Sequence, residues 1–325
     1  MSANRSSSPR FWIVLLLALG LLAAACGDDD ATTSSGTPDG GSQADEGGDG
    51  GADDGAFDGT LVIGAIPDQD PEVLARNYGL LAEYLSEELG VDVEFRPVTE
   101  YDAAVTAFRV GDLDLVWFGG LTGVQARLQV DGAAAIAQRD IDEEFTSVFI
   151  AGTDTGIEPI DDVSELTAFA GKSFTFGSES STSGRLMPQS FLSEAGVELD
   201  DFAGEVGFSG SHDKTIALVE SGTFEAGALN SQVWRSRVED GEVDTEKVQL
   251  IFETPTYYDY HWVARPELGG DLQQRVVEAL AALDPSDPEE AEILEFFGAD
   301  AFIETDDANY ADIEKVGRDI GKIDG

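Results

Sequence analysis

One cysteine, two histidines and two methionines are all that 325 residues hold of sulfur and imidazole ligands. A single thiol, Cys26, excludes an internal disulfide, and so few soft ligands speak against a zinc centre. Positive charge is as scarce: 18 Lys and Arg stand against 65 Asp and Glu, a net charge of −47. That balance excludes nucleic acid and anionic membrane surfaces as partners. The phosphate-loop and dinucleotide glycine patterns are missing, as is the Gly-x-Ser-x-Gly nucleophile elbow. Neither an enzyme class nor a cofactor is indicated.

The first 25 residues read as a secretory signal. Arg5 and Arg10 precede an apolar run, Phe11 to Ala25, which ends in small residues directly before Cys26. The run is too short and wrongly flanked for a stable membrane span. Leu22-Ala23-Ala24-Ala25-Cys26 resembles a bacterial lipobox, with Ala23 where that motif usually carries Leu. Lipidation of Cys26, and membrane attachment through it, is the expectation. Residues 26–58 are rich in Gly, Asp and Ser with almost nothing apolar, so they read as a disordered tether.

From Thr60 the pattern changes. Leu61–Ile66, Val91–Val98 and Leu113–Phe118 read as strands, and Pro71–Leu89, Tyr101–Val110 and Leu121–Val130 as helices. Such alternation predicts an α/β fold with a mostly parallel sheet covered on both faces. About 265 residues is large for one core, so two lobes are expected. Lys172–Phe176 reads as a strand running into Gly177-Ser178-Glu179-Ser180-Ser181-Thr182-Ser183-Gly184, then a helix to Ala195 with Gly196 as its stop. Ser181, Thr182 and Ser183 all favour a helix N-cap. A helix start directs free N–H groups and positive dipole outward, which suits an oxyanion. Pro188 falls in the second turn of that helix, where a kink is expected.

Two segments line up without gaps, Tyr101–Gly119 and His212–Asn230. Each reads as helix, glycine (Gly111, Gly222), an acidic residue three positions on (Asp114, Glu225), then a buried strand. The glycines alone fit helix C-caps, but the rest of the spacing suggests two similar lobes. The helix starts at Tyr101 and His212, and the strand ends at Phe118-Gly119 and Leu229-Asn230, would then face one cleft.

These motifs resemble the phosphonate-type substrate-binding proteins of ABC importers, over nearly all of Thr60 to the C-terminus. The resemblance rests on Ile66-Pro67-Asp68-Gln69-Asp70-Pro71, Thr99-Glu100-Tyr101, Asp114 to Gly119, Ser181 to Gly184 with Pro188, and Ser211-His212-Asp213. A narrower branch named for selenate is matched by Trp117 to Gly120, Val124 to Arg127, Gln138-Arg139, Phe145 to Phe149, Gly227 to Asn230 and Tyr257 to Trp262. The resemblance implies a two-lobed periplasmic-binding-protein-like fold (type II) with its ligand cleft between the lobes. Lobe one would be 59–150 plus 256–325, carrying the C-terminal helices, and lobe two 151–255, with crossings near Phe149–Gly152 and Phe252–Pro255. It also implies a small oxyanion held by Tyr101, Ser181, Thr182, Ser183, His212, Asp213 and Asp259, with Phe145, Thr146 and Ser147 carried over less directly. Permease and ATPase subunits would be the partners of a monomeric receptor; presentation to a membrane sensor kinase is the alternative.

Other residues near the proposed cleft are Phe118, Gly119 and Asn230 at the strand ends, and Tyr257 and Tyr258 beside Asp259. Arg139 is the cation expected near the anion. Trp117 and Trp234 read as core or hinge packing. Carboxylates facing an anion are unfavourable unless a proton or amine lies between them. If Asp213 and Asp259 both reach the ligand, a protonated oxyanion or an aminophosphonate fits, and fully ionised selenate or sulfate does not.

Overall fold

The computed structural model describes Phe57 and residues 59–324. The apolar run, Cys26 and all but one residue of the tether lie outside them. The body opens with β1 (Leu61–Ala65), whose run of apolar residues is buried on both faces. Asp70 caps α1 (Pro71–Leu89) by accepting from Glu72 N at 2.8 Å, and Pro71 takes the first helical position. There follow β2 (Val93–Phe95), α2 (Tyr101–Val110), β3 (Leu115–Phe118), α3 (Gly120–Gln129) and β4 (Ala134–Arg139).

The second lobe takes in β5 (Ser147–Gly152), β6 (Phe174–Phe176), α4 (Met187–Glu194), β7 (Gly207–Phe208), α5 (His212–Glu220), β8 (Ala226–Asn230), α6 (Ser231–Glu239) and β9 (Val248–Glu253). The chain then returns to lobe one as β10 (His261–Ala264), α7 (Gly269–Ala281), α8 (Pro288–Phe297), β11 (Phe302–Glu304) and α9 (Ala311–Asp319). The sheet of lobe one runs β11-β4-β10-β3-β1-β2 and that of lobe two β7-β6-β8-β5-β9. Both are mixed rather than mostly parallel: β10 is antiparallel to β3 and β4, and β5 is antiparallel to β8 and β9. The reason is the return of the chain, since strands that cross between lobes must enter each sheet from the opposite end. Helices α7 and α8 pack on α1, and α9 on α3.

The first crossing lies earlier than the expected one. All of Ser147–Gly152 belongs to the second sheet, so the first crossing precedes β5 and falls at Phe145–Thr146. The two crossings are bonded to each other, with Phe145 N donating to Tyr257 O at 3.0 Å and Tyr257 N to Phe145 O at 2.9 Å.

The repeated segment is a repeated structure. Helices α2 and α5 begin at Tyr101 and His212, and Gly111 and Gly222 have φ of 84° and 71° at or just after the helix ends. The two acids do the same work in each lobe. Asp114 Oδ2 accepts from Val62 N at 2.9 Å and Glu225 Oε2 from Ser173 N at 2.8 Å, so each ties down the neighbouring strand.

The expected kink at Pro188 is resolved differently. Residues Thr182–Leu186 form a π-helical turn, with Leu186 N bonded to Ser181 O and Met187 N to Thr182 O, and α4 restarts at Met187. Pro188 therefore stands in a first turn. The carbonyl four residues before it, that of Gly184, has no proline N–H to accept and takes Gly177 N instead, at 2.8 Å.

Candidate functional site

The lobes meet through backbone and side-chain bonds around the serine turn. His212 N donates to Asp68 O at 2.9 Å, and Leu121 N, in the first turn of α3, donates to Thr182 Oγ1 at 2.9 Å. Ser181, Thr182 and Ser183 are all buried. Ser181 Oγ caps the turn by accepting from Gly184 N at 2.9 Å, while Ser183 O accepts from Ser147 Oγ at 2.7 Å. Ser147 Oγ lies 2.6 Å from the Tyr257 hydroxyl, which completes its bonding. Ser147 and Tyr257 thus brace the turn from behind.

Asp259 arrives from lobe one on the strand entering β10. Its Oδ1 accepts from Gly120 N at 2.9 Å, at the positive end of α3. Its Oδ2 is buried and has no partner among the described residues, and the same holds for the hydroxyl of Tyr101, which lies beside Ser181 without completing a bond to it. Burial pushes the Asp259 carboxyl up to about 7, against the lowering effect of Gly120 N–H and the Thr182 hydroxyl. Gly119 caps α3 at this point, and a Cβ on it would stand 3.1 Å from Thr182 Oγ1 and 3.3 Å from Asp259 Oδ1. A methyl there would be tight against both.

His212 is fully buried, and burial pushes its imidazole down to about 4, so it is neutral at pH 7. Nδ1 accepts from Asn230 N at 3.4 Å, which leaves Nε2 to donate to the Tyr260 hydroxyl at 3.2 Å. Tyr260 also accepts from Asn230 Nδ2 at 3.1 Å and donates to Asp68 Oδ2 at 3.0 Å. Every atom of this four-residue chain across the lobes has a consistent role. Burial raises the Asp68 carboxyl to about 6.

Among the fourteen residues expected at the cleft, Tyr101, Gly119, Ser181, Thr182, Ser183 and Asp259 converge, with His212 Cε1 next to Gly184 and Asn230 one bond further. Four others are placed elsewhere. Arg139 gives Nε and Nη2 to Asp142, both at 2.7 Å, and Nη1 to Gln232 Oε1 and Phe297 O. Its guanidinium is spent on that pair and lies among the rings of Trp117, Phe145 and Tyr260. Asp213 pairs with Arg237 at 2.8 Å and accepts from Asp70 N at 3.0 Å, at the seam rather than the interior. Tyr258 is half-buried and packs edge-on against Tyr310. Phe118 points into the lobe-one core, edge-on to Phe108 at 5.8 Å.

Two residues were not singled out from sequence, Asp68 and Tyr260. Both lie inside quoted motifs, but their partnership spans 192 positions and has no local signal. The interior cluster gathers the hydroxyls of Tyr101, Ser181 and Thr182 near a carboxyl with one bare oxygen. It can hold a small oxyanion with one proton between the anion and Asp259 Oδ2.

Residues 63–310 match the family described as ABC transporter, phosphonate, periplasmic substrate-binding protein. The probable ABC transporter phosphite binding protein PhnD1 of Prochlorococcus marinus (strain MIT 9301) is 48% identical over 268 residues, 81% of this chain and 90% of that protein. A solved structure of PhnD1 from that organism, in complex with methylphosphonate, superposes with a TM-score of 0.79 and covers 81% of this chain and 99% of that one. The phosphate-import protein PhnD of Mycolicibacterium smegmatis is 25% identical over 268 residues, 78% of this chain and 76% of that protein. None of these descriptions mentions selenate. The chain belongs to the phosphonate-type periplasmic substrate-binding proteins of ABC transporters.

Proposed function

We propose that this receptor captures phosphite or methylphosphonate as the monoprotonated anion and delivers it to its permease. The observation that carries the reading is the unpartnered Oδ2 of Asp259, whose carboxyl lies beside Thr182 of the serine turn. Three oxygens of the ligand would take hydroxyl and backbone N–H donors, and the ligand's own O–H would meet Asp259. A relative 48% identical, named for phosphite and solved with methylphosphonate, supports the same class. Only one carboxylate enters this account, because Asp213 is held by Arg237. Above pH 7, where Asp259 is mostly ionised, fully ionised selenate offers it no proton, so the selenate branch is disfavoured on chemistry there. The comparisons give presentation to a sensor kinase no support.

The receptor works as a monomer, held outside the cytoplasm by lipid on Cys26. The lone cysteine after an apolar run and small residues supports that attachment.

Calorimetric titration of the purified protein with phosphite, methylphosphonate, 2-aminoethylphosphonate, phosphate, arsenite, selenate and sulfate tests the ligand. Micromolar or tighter binding of phosphite or methylphosphonate, with selenate and sulfate silent, is the expected result. Tight selenate binding would overturn the role given to Asp259.

A further inference from the structure

Beyond the anion site, the side chain of Gln232 crosses the seam between lobes at a second place. It lies in the first turn of α6, two residues after Asn230, and belongs to lobe two. Its Oε1 accepts from Arg139 Nη1 at 2.7 Å and its Nε2 donates to Phe297 O at 3.1 Å. Both partners belong to lobe one. Phe297 O is a carbonyl of the last turn of α8, which a helix cannot satisfy by itself. Lobe one also shapes the receiving surface. Gly298 caps α8 with φ 61°, and a Cβ there would overlap the Gln232 amide.

None of the bonds of Gln232 goes to the serine turn, Tyr101 or Asp259. We propose that Gln232 is a positioning residue: it sets ligand affinity by stabilising the closed arrangement, without touching the anion. Its two bonds to lobe one exist only when the lobes are together. Apparent affinity scales with the fraction of closed, competent protein. Losing an amide bonded to a guanidinium and a carbonyl therefore weakens every ligand by one common factor, on the order of tenfold. Selectivity stays with Asp259.

The inference rests on the phosphite and methylphosphonate reading, and a double-mutant cycle tests it in the full-length protein. Q232A, G298A and the double variant are titrated with both anions, with dissociation rates followed by stopped flow. Q232A should lose the same factor for both ligands and release them faster, while its ligand-free melting temperature stays at the wild-type value. Gln232→Met, which keeps the bulk without the amide, should show the same loss. G298A should also weaken binding, because its methyl meets Gln232 only on closure. The strain of φ 61° is present in both states and cancels. The double variant should then be no weaker than Q232A.

Unchanged affinity in Q232A, loss confined to one anion, or fully additive losses would each overturn the inference. A wild-type protein that binds neither anion overturns the ligand reading, and this inference with it. Binding by wild type with Q232A unaffected overturns the inference alone.

Discussion

In the proposed site, a single atom of Asp259 would decide what the protein accepts. Oδ1 is occupied by Gly120 N–H and Oδ2 is not. Asp259→Asn keeps a carbonyl oxygen for Gly120 and puts an NH2 group where Oδ2 stood. Monoprotonated phosphite and methylphosphonate should bind on the order of 100-fold more weakly, because a donor replaces the acceptor of a buried charged hydrogen bond. Sulfate and selenate, expected to be silent in the wild type, should gain measurable affinity in the same calorimeter. Loss of all anions alike would show that Asp259 only braces α3.

The same carboxyl makes stability depend on pH in a defined direction. Between its ordinary 3.8 and about 7, the native protein holds a proton that the unfolded chain has released, so this group's contribution falls as pH rises through that window. Asp68, raised to about 6, acts in the same sense. His212 opposes them: lowered from 6.5 to about 4, it makes stability rise with pH over that interval. The difference between wild type and Asp259→Asn isolates one group. In ligand-free melts the variant should be more stable by several degrees at pH 8, and the gap should close towards pH 4. A gap that is constant with pH would mean that Asp259 does not titrate in this range.

At the scale of elements, the start of α3 is where the lobes come closest to the anion cluster. Gly119 has φ −75°, which any residue adopts, so Gly119→Ala should fold normally. Its methyl would press on Thr182 Oγ1 and Asp259 Oδ1. Overpacking of this kind costs about 1–3 kcal/mol, and the part of it against Thr182, on the other lobe, falls on closure. Affinity for methylphosphonate should drop by roughly 5- to 150-fold, with at most a small fall in the melting temperature of the ligand-free protein. Wild-type affinity would show that Thr182 yields freely.

The elements were the legible part of the sequence. Helix, glycine, acid and strand recur at fixed spacing because each is locally determined, and Asp114 and Glu225 tie the neighbouring strand in both lobes. The serine turn was legible too, since its hydroxyls and its cap lie within four residues. What could not be read was which acid faces inward. Asp213 and Asp259 each adjoin a histidine or tyrosine in the sequence, and the difference between them is Arg237, which reaches Asp213 from another helix. Arg139 was misplaced for a similar reason, as its partner Asp142 sits three residues on in a short turn that carries no distinctive pattern. The π-helical turn was missed because Pro188 signals a break without saying how the chain accommodates it.

At the scale of the whole molecule, attachment and transport can be separated. Cys26→Ala in the intact chain should move the protein from the detergent phase to the aqueous phase on phase partition, and leave ligand affinity in the calorimeter as it was. Retention in the detergent phase would show that the apolar run, not lipid, holds the protein.

The two crossings between the lobes are hydrogen-bonded to each other at Phe145 and Tyr257, and the pairing continues as Ser147 N donates to Thr254 Oγ1 and Thr254 N to Ser147 O. A joint of two laced strands resists sliding and shear, because either would break those bonds, but it can still bend and twist. Bending and twisting are thereby the motions left to the lobes. One pair of fluorescent labels, placed on either rim far from the joint, would read the bending as a distance, and could report ligand in solution without any knowledge of the permease.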